Sequence, residues 1–98
     1  MKIFEELTPY EKSVLLIWGK ELDFCITTHY PIQRIKKKIK FTLPKLKHKD
    51  LTRINKTLMA SGFILKHPTG RNTTYNLSRE GLRCCEILKN DNEYEDLI

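Results

Sequence analysis

The chain has 98 residues, of which 40% are apolar and 31% charged, with a net charge of +6. This is the size of one domain with a modest core, too small to enclose a deep substrate cavity without giving up core side chains. No run approaches the roughly 18 apolar residues of a membrane span, and the opening MKIFEELTPYEK lacks a secretory apolar run. A cytoplasmic protein with no membrane partner is therefore expected.

In chain order, Thr8-Pro9-Tyr10-Glu11 joins an N-cap hydroxyl, a proline at the first helical position and a glutamate at the third, the pattern of a capping box. Leu7, Val14, Leu15, Trp18 and Leu22 then share one face, so a helix is predicted from Pro9 to about Leu22. Leu16 and Ile17 lie off that stripe, and serve either a second subunit or a broad core face. The β-forming run Phe24 to Thr28 predicts a brief strand. Pro31 can open a second helix with Ile32, Ile35 and Ile39 inward, Arg34, Lys37, Lys38 and Lys40 outward, and Lys36 at the margin. Phe41 to Lys47 reads as a turn around Pro44, with Phe41, Leu43 and Leu46 returning to the core.

A third helix is expected from about His48 to Ser61, with Leu51, Ile54 and Leu58 as its inner stripe and Gly62 as its left-handed stop. Two strand-like runs, Phe63 to His67 and Thr73 to Leu77, flank the turn cluster Pro68-Thr69-Gly70-Arg71-Asn72, predicting a hairpin with a loop of about five residues. Ser78 and Glu80 open a last helix with Cys84, Cys85 and Leu88 on its apolar side. It frays into an acidic tail at 91–98. The whole is mainly α, an α+β fold in a single domain over 1–98.

The cationic charge is concentrated. Between Pro31 and Lys56 stand ten basic residues against the single acid Asp50, a local net charge of +9, which leaves −3 for the rest of the chain. Such an asymmetry is the footprint of a polyanion-binding face. Cys25, Cys84 and Cys85 are odd in number, no CxxC occurs, and His29, His48 and His67 are scattered without ligand spacing. No metal or other cofactor is expected. Nor is an enzyme, since no nucleophile with a base, carboxylate pair or glycine-rich phosphate loop stands out.

The order helix, strand, helix, turn, helix, hairpin, helix is that of a winged helix-turn-helix. Two stretches add a local likeness. Leu51 to Ile64 resembles the recognition helix and first wing strand of MarR-, PadR- and ArsR-like regulators. There an apolar residue, a small hydroxyl and an Arg open the helix, and a Leu four residues before Gly closes it. Tyr75-Asn76-Leu77-Ser78-Arg79-Glu80-Gly81 resembles the wing-to-last-helix stretch of those families. Together the two cover about a third of the chain. Lys36 to Lys49 is longer and more basic than the turn those families place there.

The resemblance implies a transcriptional regulator that reads double-stranded DNA; the lysine run around the second helix leaves RNA as an alternative ligand, and the fold leaves a protein-interaction module as another. The resemblance also implies a homodimer paired through the first and last helices, for which Leu16, Ile17, Ile87 and Leu97-Ile98 are the candidate contacts. With the inner stripe turned to the core, Thr52, Arg53, Asn55 and Lys56 are the candidate base readers in the major groove. Lys36, Lys37, Lys38, Lys45, Lys47 and Lys49 suit phosphates, since an ammonium is a point charge without planar geometry. Lys66, Arg71 and Asn72 on the hairpin are candidate wing contacts.

Overall fold

The computed structural model describes residues 1–70 and 72–97. They form an α+β fold with four α-helices and a three-stranded antiparallel sheet among the described residues. A short 3-10 helix, Phe4–Glu6, precedes α1 (Pro9–Glu21); β1 (His29–Pro31), α2 (Ile32–Thr42) and α3 (His48–Ala60) follow. The hairpin β2 (Ile64–Thr69) and β3 (Asn72–Leu77) leads to α4 (Arg79–Lys89) and a final 3-10 helix, Asn92–Leu97. None of these helices is long and apolar enough to cross a membrane.

The capping box of α1 forms as its residue types dictate. Glu11 N donates to Thr8 Oγ1 at 3.2 Å, and Thr8 N donates back to Glu11 Oε1 at 2.9 Å. The helix then becomes the centre of the molecule, packing against α2, α3, α4 and the final 3-10 helix. Leu16 and Ile17 are as deeply buried as the stripe beside them. They are core residues, because a helix covered on all sides has no outward apolar face. The dimer contacts expected of these two positions are thus corrected. Ile87 on α4 is exposed and Leu97 half-buried, while Ile98 lies outside the described residues.

The brief strand falls later than its β-forming residues suggest. Asp23 and Phe24 both take left-handed backbone, with φ of 55° and 50°, so the chain turns sharply after α1. Pairing starts only at His29, opposite Asn76, and ends at Pro31, opposite Thr74. Strand order is β1-β3-β2, so Pro31 sits on an edge, where its missing N–H costs no ladder bond. The hairpin is tighter than expected. Pairing runs out to Thr69 opposite Asn72, and Gly70, with φ of 54°, takes left-handed backbone just beyond Thr69.

Helix α2 also outruns its expected end, continuing through Phe41 to Thr42. Ile35 and Ile39 are fully buried, and Leu43 and Leu46 pack against the core as expected. Phe41 does not: it is 82% exposed. At 100° per residue, carrying the helix on to position 41 places that side chain opposite the isoleucine stripe. Helix α4 starts at Ser78, whose Oγ accepts from Gly81 N at 2.9 Å. Gly81 lies so close to β2 that a Cβ there would sit 2.2 Å from the Phe63 carbonyl oxygen. The tail expected to fray instead folds back and buries Tyr94.

Candidate nucleic-acid interface

Helix α3 is divided cleanly by its periodicity. Leu51, Ile54 and Leu58 are buried in the core, and Lys49, Arg53 and Lys56 are exposed on the opposite side. Spacings of four and three put these three cations in one row. Arg53 Nη2 lies 2.9 Å from Asp50 Oδ1, but the Arg53 side chain is 75% exposed. An ion pair so exposed is worth little and yields readily to another anion. Thr52 is half-buried and its hydroxyl donates to the His48 carbonyl at 3.0 Å, which leaves its oxygen free to accept only.

Asn55 belongs to the core and not to this row. It is 3% exposed, and Trp18 Nε1 donates to its Oδ1 at 3.0 Å. An indole nitrogen can only donate, so the amide oxygen must face it. The remaining amide nitrogen, Nδ2, has no hydrogen-bond partner among the described residues. The expected base-reading role of Asn55 is therefore corrected: the residue is buried and its amide oxygen accepts from Trp18.

Two recesses show which of the phosphate candidates gather around α3. On one flank a cavity of about 220 Å³ is lined by Lys36 of α2, by Thr52 and Lys56 of α3, and by Tyr75 of β3. On the other, a recess of about 560 Å³ brings Lys45 and Lys47 beside Asp50 and Arg53, with Lys2 and Glu11 behind. Lys36, Lys45 and Lys47 thus flank the exposed row on both sides. Lys37 stands elsewhere, in a shallow groove on the outer face of α2 with Gln33, Arg34 and Lys40. Lys38 is also on that outer face, its ammonium 5.7 Å from the centre of the Phe41 ring.

On the hairpin, Lys66 is exposed and stands opposite Tyr75, which puts it on the sheet face that closes the smaller cavity. Asn72 is exposed where the hairpin closes; Arg71 lies outside the described residues. Compared with protein-family models, with curated proteins and with solved structures, the chain matches none.

Away from this face lie three further features, of which only the burial of Cys84 and Cys85 was expected from the sequence. His29 and His67 stack across β3 with ring centres 4.6 Å apart, and Thr74 Oγ1 lies 2.9 Å from His29 Nδ1. Cys25 has its thiol lowered to about 7 by hydrogen bonding to the side chain and backbone of Thr27, with Thr28 adding to it. Burial pushes Cys84 up to about 11 and, with the neighbouring Cys84, Cys85 up to about 12. Only sheet register could have paired the histidines, but Thr27 and Thr28 beside Cys25 were visible as hydroxyl donors.

Proposed function

We propose that the chain is a winged helix-turn-helix protein that binds duplex DNA through α3 and acts as a transcriptional regulator. One observation carries the reading: Lys49, Arg53 and Lys56 project from a helix whose opposite side is locked into the core, with Lys36, Lys45 and Lys47 on its two flanks. An α-helix about 10–12 Å across fits the roughly 12 Å major groove of B-DNA. The element order α1-β1-α2-α3-hairpin-α4 supports it as well.

In this reading Arg53 leaves Asp50 and grips a guanine edge through two hydrogen bonds, while Thr52 and Lys56 meet neighbouring acceptors or donors on the bases. Lys36, Lys45, Lys47 and Lys49 meet phosphates and set the register. Lys66 extends the contact to the flanking backbone.

Selection of bound sequences from a random duplex pool, run beside an RNA pool, tests the proposal. A sharp duplex motif is the expected result. Affinity should fall steeply with salt, by about 0.9 in the log–log slope for each phosphate neutralised. Arg53→Ala should lose about 1–3 kcal/mol and relax preference at one base position. No enrichment from the duplex pool, or an Arg53→Ala protein with unaltered preference, overturns it.

A further inference from the structure

The outer face of α2 is not accounted for by duplex binding through α3. Arg34, Lys36, Lys37, Lys38 and Lys40 all lie within Ile32–Thr42, no acid lies among them, and none has an acid partner among the described residues. In angle around the helix the exposed ring of Phe41 falls between Lys37 and Arg34, on the side away from the isoleucines, and along the axis it closes the row. A single exposed apolar side chain is ordinary on a protein surface, but this ring is 82% exposed and stands among cations, and nothing in the fold holds it there, since α2 is already anchored by Ile35 and Ile39. The same stripe begins with a second aromatic: the Arg34 guanidinium lies 3.7 Å from the centre of the Tyr30 ring.

We propose that this face binds unpaired nucleic-acid strand, with Phe41 as the platform on which one base stacks and Arg34, Lys37, Lys38 and Lys40 as the cations that follow its phosphates. The preferred ligand of the chain is then a duplex with a single-stranded extension. A ring set among ammonium groups is the arrangement that single strands require, because each base offers an apolar face and each linkage a negative charge. Paired bases hide their faces inside the stack, so a continuous duplex gives Phe41 nothing to cover. A lipid surface fits less well. Membrane-lying helices turn a broad apolar face outward, whereas the other apolar residues of α2 point into the core.

The dimensions agree. Arg34 to Phe41 spans about 10 Å along the helix, the length of about three stacked nucleotides. Continuity with the duplex surface comes from Lys36. It lines the cavity shared with Thr52 and Lys56 on α3, and also the groove shared with Arg34, Lys37 and Lys40 on α2. A strand leaving the α3 face past Lys36 therefore runs directly onto the outer face of α2. The path of the strand rests on the duplex reading; the affinity of α2 for single strand does not.

Fluorescence anisotropy on a short blunt duplex, on the same duplex with a single-stranded extension of about five nucleotides, and on the extension alone tests this. The extension should tighten binding by about tenfold, in keeping with one base stacked on one ring. Phe41→Ala should erase that gain and leave blunt-duplex affinity unchanged, and Phe41→Trp should preserve it. A 2-aminopurine in the extension should lose fluorescence on binding the native chain and the Trp variant only. DNA and RNA extensions, run in parallel, identify the kind of strand, and a gain with either supports the proposal. Equal affinity for blunt and extended duplexes overturns it while sparing the α3 reading. Failure of the blunt duplex to bind, with the extension alone still bound through Phe41, does the reverse. Phe41-dependent binding to anionic vesicles without any gain from the extension assigns the face to lipid and also overturns the proposal.

Discussion

Helices α1 and α2 lie side by side and use the core in opposite ways. Of the thirteen residues of α1, seven are buried, including Glu11 and Gly19. Of the eleven residues of α2, only Ile35 and Ile39 are buried, and most of the rest of its surface is cationic, with Phe41 exposed beside it. The first helix is what the fold needs; the second is held by two isoleucines and presents a surface that folding does not use. The lysines and Arg34 of α2 have no acid partner among the described residues, so their charge is left to the solvent side of the helix.

The contrast is broken or sharpened by substitution. Trp18→Ala should have the largest effect, costing about 3–5 kcal/mol in urea unfolding, a large share of a small domain's stability. A loss under about 1 kcal/mol would mean that α1 is not the centre of the core. Asn55→Ala should follow at about 1–3 kcal/mol, because it strands the buried Trp18 Nε1 without an acceptor. If instead it left stability untouched and altered base preference, Asn55 would return to the interface.

Glu11→Gln keeps the capping-box hydrogen bond, since glutamine serves at this position as well, but removes the ion pair with Lys2; it should cost up to about 1 kcal/mol, and the loss should depend on pH. Burial raises the Glu11 carboxyl, but hydrogen bonds from Lys2 and Thr8 and the charge of Lys2, which lies 2.8 Å away, outweigh it and hold the group below its ordinary value of 4.5. A depressed carboxylate contributes stability that is complete above its unfolded value and lost as pH falls through the folded one. The native chain should therefore lose its margin over the Gln variant below about pH 4.5, and a margin constant down to pH 2 would refute the pairing. The smallest stability effect belongs to Lys37→Ala with Lys38→Ala, within about 0.5 kcal/mol of zero. The same pair should reduce the salt slope of duplex-with-extension binding by up to about 1.4, at about 0.7 for each single-strand phosphate.

Much of this was legible in the order of residues. The capping box, the isoleucine and leucine stripes and the glycine stop at Gly62 define α1, α2 and α3 to within about two residues, because caps and periodicity act over a single turn. The cationic row of α3 could be read the same way, since Lys49, Arg53 and Lys56 lie opposite Leu51, Ile54 and Leu58 on any helix. Even the burial of Asn55 was hinted at, as it falls about 40° from Leu51.

What the sequence alone determined, then, is where helices start, which side of each is apolar, and that all the excess positive charge lies between Pro31 and Lys56. Only the tertiary structure decided that Leu16 and Ile17 are enclosed and that Asn55 serves Trp18. It also decided that Lys36, Lys45 and Lys47 join α3 while Lys37 and Phe41 face elsewhere. The reason is one of range. Capping and amphipathicity are settled among residues a few positions apart. Enclosure depends on which elements close over a helix, and Trp18 meets Asn55 across 37 positions of chain.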